Sequence, residues 1–131
     1  MLTNTLSPMS KSERLSLLSE ICLALPEATR ELKGDHASFR VRKKVFAYFL
    51  NNHHGDGIVF ICGKALPGDN NALVASDPVK YYLPAYIGPR GWVGLRLDLG
   101  EVDWDEVREL VTGSYLQTAP RKLAALVKIP E

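Results

Sequence analysis

The chain has 131 residues, of which 46% are hydrophobic and 24% are charged, and its formal net charge at pH 7 is +1. This length and composition predict a single domain over residues 1–131 and exclude a disordered chain. So small a net charge excludes strong overall attraction to a polyanion, and no apolar run reaches the roughly 20 residues that span a bilayer.

A helix near the N-terminus is the first predicted element. Ser10 and Glu13 have the spacing of a capping box. Apolar residues then recur with helical periodicity, at Leu15, Leu18, Ile21, Cys22 and Leu25. Pro26 is expected to stop the helix, and residues 1–9 before it are expected to form a flexible N-terminus.

Three strands are predicted between residues 37 and 62. Ala37–Val41 alternates apolar and polar side chains, whereas Val45–Leu50 and Ile58–Cys62 are continuous apolar runs. The basic segment 42–44 forms the first turn, and the segment NNHHGDG forms the second. Short turns between consecutive strands predict an antiparallel meander.

A fourth strand follows an irregular segment that contains a short helix over Asn71–Ala75. The strand covers Trp92–Leu97, and its alternate side chains point to opposite faces. One face carries Val93, Leu95 and Leu97, and the other carries Trp92, Gly94 and Arg96. We expect the aliphatic face to meet the helices.

The last third of the chain is predicted to be helical. Asp103 is the expected N-cap of a helix, with Glu106 three residues later. Pro120 suits the first turn of a final helix, which would turn three apolar side chains toward the core: Leu123, Leu126 and Val127.

The order of these elements lacks the regular alternation of strand and helix that marks a parallel sheet. We therefore predict an α+β fold with an antiparallel sheet of about four to five strands. The N-terminal helix and the two C-terminal helices would cover this sheet.

Charge is distributed unevenly along the chain. Residues 30–44 carry six basic residues against two acids, and residues 80–96 carry three basic residues and no acid. Residues 98–109 carry six acids against Arg108, and they suit the N-terminus of a helix. Two basic segments are therefore available for a local contact with an anionic partner.

Enzyme motifs are missing from the sequence. The segment Gly57–Ala65 fails as a phosphate loop because the glycine spacing is wrong and Ala65 replaces the hydroxyl that would hold magnesium. His53, His54 and Asp56 could be imagined as metal ligands, but their residue types favour a hairpin turn. We expect no catalytic residue, cofactor or metal.

The expected location is the cytoplasm. The N-terminus lacks a basic start followed by an apolar stretch, so no secretory signal is predicted. Cys22 and Cys62 lie far apart in apolar contexts, which favours two buried reduced thiols.

The stretch YIGPRGWVGLRLD, from Tyr86 to Asp98, is the most unusual part of the chain. An indole and a guanidinium on one strand face suit stacking on bases, a cation–π pair or a protein contact. The glycines would let the loop turn sharply. The alternative is packing, in which Trp92 fills a second hydrophobic layer and Arg96 stacks on it.

Three segments of the chain resemble the MmcQ/YjbR family over roughly Leu25 to Leu126. They are LPEATRELKGDHASFRVRKKVFAYF, YIGPRGWVGLRLD and VDWDEVRELVTGSYLQTAPRKLAAL. The resemblance implies a fold grouped with secretion-chaperone-like proteins, and DNA binding through a double-wing arrangement without catalytic residues. The family's motif residues correspond to Phe39, Lys44, Gly88, Gly91, Trp92 and Tyr115.

Three hypotheses follow for the function. The first is a non-enzymatic DNA-binding module whose contacts come from Arg40, Arg42, Lys43, Lys44, Arg90, Trp92 and Arg96. The second is an adaptor that binds a protein or a second copy of itself in a groove lined by Tyr82, Tyr86, Gly88, Gly91 and Tyr115. The third is a small-anion site beside Trp92, held by Arg90 or Arg96.

Overall fold

The structure is a computed structural model that describes residues 11–51 and 57–127. The predictions for residues 1–9 and for His53, His54 and Asp56 fall outside these ranges. The elements in chain order are α1 (Lys11–Leu23), β1 (Thr29–Lys33), β2 (His36–Val41), β3 (Lys44–Asn51), β4 (Val59–Lys64), α2 (Asp69–Ser76), β5 (Tyr81–Tyr82), a 3-10 turn (Gly88–Arg90), β6 (Trp92–Arg96), α3 (Trp104–Thr118) and α4 (Arg121–Ala124).

The strands form one six-stranded sheet in the order β1-β2-β3-β4-β6-β5, and every neighbouring pair is antiparallel. The predicted α+β fold is thus confirmed, with slightly more strands than expected. The two unpredicted strands are the edges of the sheet. All five residues of β1 are exposed, so it has no alternating pattern, and β5 has only two residues.

One face of the sheet, here called the inner face, packs against α1 and α3. Its buried side chains include Phe39, Phe49, Ile61, Val93 and Leu95, and they form the core with residues such as Leu18 and Val111 of the helices. Leu110 of α3 lies so close to Gly63 of β4 that an added Cβ would be 3.0 Å from it. The glycine therefore allows the helix to approach the sheet closely.

The opposite face, here called the outer face, carries side chains that are mostly half-buried. Ser38 and Tyr48 are paired across β2 and β3, and Tyr48 lies opposite Cys62 of β4. Trp92 and Arg96 are on this face, while Val93, Leu95 and Leu97 are buried. The predicted division of this strand into an aliphatic face and a Trp/Arg face is confirmed.

The C-terminal helices begin as the sequence predicts, but the last of them ends earlier than predicted. The Asp103 carboxylate accepts hydrogen bonds from the backbone N–H groups of Asp105 and Glu106, as expected of an N-cap. The final helix is a single turn that ends at Ala124, with Pro120 as its N-cap. Leu123 is buried, but Leu126 is 64% exposed, so its predicted core position is wrong. The helical periodicity does not extend that far.

None of the helices within the described part of the chain is long and apolar enough to cross a bilayer.

Candidate nucleic-acid interface

The turn between β2 and β3 is a tight two-residue hairpin loop. Val41 pairs with Lys44, which leaves Arg42 and Lys43 as the central residues, with φ angles of 49° and 70°. Two positive φ angles are typical of a type I′ turn, whose twist matches that of the flanking strands. Such angles cost free energy in residues other than glycine, so this turn presents two cations in a strained conformation.

Strand register brings this turn to the same end of the sheet as Trp92. Ala47 of β3 pairs with Gly63 of β4, and Lys64 at the end of β4 pairs with Trp92 at the start of β6. We call this the basic end of the sheet, defined by four cations: Lys43, Lys44, Lys64 and Arg90.

The C-terminal end of α3 reaches the basic end as well. The Gln117 side-chain amide donates a hydrogen bond to the Lys64 carbonyl at 2.9 Å. Helix α4 follows directly, and its two cations, Arg121 and Lys122, are exposed. Two further cations therefore follow Gln117 closely along the chain.

An aromatic pair lies on the outer face near the basic end. The ring centroids of Tyr48 and Trp92 are 5.4 Å apart, and the rings are tilted by 49°. Both side chains are half-buried, so the indole is not sealed in the core. Cys62, below this layer, is fully buried.

Asn70 of α2 holds the loop that precedes Trp92. Its side-chain amide donates to the carbonyls of Gly88 at 2.8 Å and Trp92 at 3.1 Å, and the residue is almost fully buried. The sequence offered no signal for this role, because the amide meets backbone that is 18 and 22 residues away.

Local geometry explains Gly91. Gly91 has a φ of 98°, and a Cβ there would lie 3.3 Å from the Ala65 carbonyl oxygen. A Cβ at Gly88 would make only an ordinary contact with Leu83, at 3.4 Å. Gly91 thus ends the 3-10 turn that carries the exposed Arg90 next to Trp92.

A cavity of about 610 Å³ opens beside this turn. Its lining includes Lys64, Asn71, Leu83, Arg90 and Gln117, and none of the described residues that line it is acidic. Two cations of the basic end, Lys64 and Arg90, therefore line a concave, electropositive region.

Three of the predicted DNA contacts are occupied by carboxylates, and two of them, Arg40 and Arg42, lie at or beside the basic turn. Arg42 donates to both oxygens of Glu27, at 2.7 and 3.1 Å, and Arg40 lies 3.4 Å from Glu31. The hydrogen bond from Arg42 lowers the pKa of the Glu27 carboxyl, so this partner stays ionised. The sequence did not reveal these pairs, because strand β1 was not predicted. Glu27 lies just before this strand, and Glu31 lies within it.

Arg96 lies away from the basic end. It pairs with Phe60 across β4 and β6, and it is four residues, or about 13 Å, along the strand from Trp92. Its guanidinium binds both oxygens of Asp98 at 3.1 and 2.9 Å. Trp92 and Arg96 share a face as expected, but they do not form one contact site.

The predicted groove tyrosines fall in three different environments. Tyr115 is fully buried on the inner face, with its ring against Phe46 and its hydroxyl donating to the Pro26 carbonyl at 2.6 Å. Its assignment to a groove is therefore wrong. Tyr82 covers Gly94 on the outer face and contacts the ring of Phe60. Tyr86 is 93% exposed, with a φ of 67°.

Acidic residues gather at the other end of α3 from the basic end. The helix begins with Asp103 as its cap and has Asp105 and Glu106 in its first turn. Lys80 lies 3.0 Å from Glu106, and the Tyr81 hydroxyl donates to the same carboxylate at 2.6 Å. The near-zero net charge thus conceals a molecule with a basic end and an acidic end.

The family model described as YjbR matches residues 23–117, which is most of the chain. This chain belongs to the YjbR family. The match covers both the basic turn and the tryptophan segment. No curated protein matches the chain.

Solved structures of other proteins have the same α+β fold as this chain. A Deinococcus radiodurans protein with a DUF419 domain is 23% identical, with a TM-score of 0.64 over 86% of this chain and 80% of its own. A Pseudomonas syringae protein is 16% identical, with a TM-score of 0.62 over 84% of this chain and 99% of its own. At these identities the likeness shows the fold alone.

Several of the residues that the resemblance assigns to the family's motif have structural roles in this chain. Phe39 and Tyr115 are core residues, and Gly91 adopts the positive φ that ends a turn. Lys44 is exposed and Trp92 is half-buried. These two side chains at the basic end are the motif residues that a partner could reach.

Proposed function

We propose that this YjbR chain is a non-enzymatic module that binds DNA through its basic end. The observation that carries the proposal is the strand register, which groups four cations beside an accessible tryptophan. Within residues 11–51 and 57–127, none of Lys43, Lys44, Lys64 and Arg90 forms an ion pair. Free cations of this kind suit phosphate contacts.

Three side chains that could act as nucleophiles are fully buried, which supports a binding role. Burial raises the pKa of the Cys62 thiol to about 12 and raises that of Cys22 further, so neither forms a thiolate at neutral pH. The Ser114 hydroxyl donates to the Phe46 carbonyl at 2.6 Å and is fully buried. Two buried free cysteines also suit a reducing, cytoplasmic environment.

The proposal predicts salt-dependent DNA affinity. Each neutralised phosphate contributes a log–log slope of about −0.9 on duplex DNA, so four contacts give a slope of about −3.6. Fluorescence anisotropy of a labelled duplex, titrated at several salt concentrations, measures this slope. Lys43→Glu should weaken binding at least tenfold, because it replaces one attraction with a repulsion.

The matched control is Lys33→Glu. Lys33 is equally exposed, but it pairs with His36 beside the β1–β2 turn, at the opposite end of the sheet. Lys33→Glu changes the net charge by the same amount as Lys43→Glu, and it should leave the affinity for DNA nearly unchanged. Equal losses in the two variants, or no binding at tens of micromolar protein in low salt, would refute the proposal.

A protein contact is a second candidate, favoured by three exposed apolar side chains in the loops around the cavity: Leu66, Leu83 and Tyr86. Tyr86→Ser would then abolish self-association, measured by sedimentation, while it leaves DNA binding intact. A monomer at all concentrations would exclude a second copy as the partner.

A further inference from the structure

We infer that the basic end binds single-stranded DNA in preference to duplex, with unpaired bases stacked on the Tyr48–Trp92 pair. This inference rests on the proposed function and adds the strand state of the ligand. Its starting point is the outer face of the sheet, where two aromatic rings and several cations converge.

The rings belong to strands on either side of β4. Tyr48 is on β3 and Trp92 is on β6, and their centroids are 5.4 Å apart. Both are only partly buried, and Tyr48 lies opposite the buried Cys62 in the β3–β4 register. The pair therefore has apolar ring surface that can still be covered by a ligand.

Two cations lie next to the pair, and a third lies farther along β3. Lys64 lies opposite Trp92 in the β4–β6 register, and Arg90 precedes Trp92 by two residues. Lys44 begins the strand that carries Tyr48. A strand that placed bases on the rings would therefore have its phosphates within reach of positive charge on more than one side.

Duplex DNA cannot use the aromatic pair. Its bases are stacked on one another, and they present only their edges in the grooves, so ring-on-ring stacking requires an unpaired base. The cations alone would serve duplex and single strand alike. The aromatic pair is the feature that distinguishes the two ligands, and stacking of one base typically changes affinity by about tenfold or more.

The experiment uses the full chain with Trp104→Phe, which leaves Trp92 as the single tryptophan. A 15-nucleotide oligothymidylate and a 15-base-pair duplex are titrated in parallel, with indole fluorescence and anisotropy as readouts. We expect the single strand to quench Trp92 and to bind about tenfold more tightly than the duplex. Equal affinities without quenching would overturn the inference and leave the proposed function standing.

Substitutions separate stacking from packing. Tyr48→Leu keeps apolar cover over Cys62 but removes a ring, so it should lower single-strand affinity about tenfold and spare duplex affinity. Tyr82→Leu is the control, because it also removes an outer-face ring, one that packs on Phe60 and Gly94. Thermal unfolding of both variants monitors the fold.

Two further results would count against stacking. Equal loss of both ligands in Tyr48→Leu, or equal loss of single-strand affinity in Tyr48→Leu and Tyr82→Leu, would mean that the pair is only packing. A chain that binds neither ligand would overturn the proposed function together with this inference.

Discussion

Ser114 shows how one side chain can join a helix to two strands. Its hydroxyl donates to the Phe46 carbonyl of β3 at 2.6 Å and accepts from the Lys64 N–H of β4 at 2.9 Å. Ser114→Ala should lower the free energy of unfolding by about 2–3 kcal/mol, because it leaves a buried donor and acceptor without partners. Urea denaturation measures the loss.

The control for this residue is Ser76→Ala. The Ser76 hydroxyl also donates to a backbone carbonyl, that of Leu73 at 2.8 Å, but it is exposed to water. Its removal should change stability by no more than about 0.5 kcal/mol. Equal effects at the two serines would show that the strand-bridging bonds contribute little.

At the scale of elements, the hairpin between β2 and β3 carries positive charge in a backbone conformation that lowers the stability of the fold. Lys43 has a φ of 70°, which glycine adopts without strain. Lys43→Gly should raise the free energy of unfolding by about 1 kcal/mol and weaken DNA binding, whereas Lys43→Ala should weaken binding without the gain in stability. Thermal unfolding and anisotropy on both variants test this.

The comparison of Lys43→Gly with Lys43→Ala isolates the free-energy cost of the positive φ, since both substitutions remove the same charge. If Lys43→Ala is as stable as Lys43→Gly, the positive φ carries no cost. If both retain full DNA affinity, the turn does not contact phosphate.

At the scale of the whole molecule, ion pairs decide which of the cations can meet a phosphate. Glu27 forms an ion pair with Arg42, and its pKa is lowered. The pair therefore persists at neutral pH. It is lost only in acid, as the pH falls through the lowered pKa of Glu27. Glu27→Gln should therefore raise DNA affinity a few-fold and steepen the salt slope by about 0.9, one phosphate contact.

Glu101→Gln is the matched control, because Glu101 is exposed in the acidic segment that leads into α3. It removes the same charge far from Arg42. A similar rise in affinity in both variants would indicate a general charge effect, and no change in the salt slope for Glu27→Gln would show that Arg42 does not reach the DNA.

The sequence predicted the elements whose signals are local. Helix α3 has a capping aspartate, and the alternating pattern of Ala37–Val41 marks β2. It missed β1 because that edge strand is exposed on both faces and has no apolar alternation. It misplaced Tyr115 because an aromatic residue on a helix does not reveal which surface it packs against.

What the sequence alone determined was the α+β class, the antiparallel pairing of the central strands, and the two faces of Trp92–Arg96. These follow from periodicity and turn chemistry, which depend on neighbouring residues. The tertiary structure decided that Lys64 and Arg90 belong with the hairpin turn, and that Arg42 and Arg96 are held by Glu27 and Asp98. The grouping of Lys64 with the hairpin turn depends on strand register, because register brings together charges that are distant along the chain.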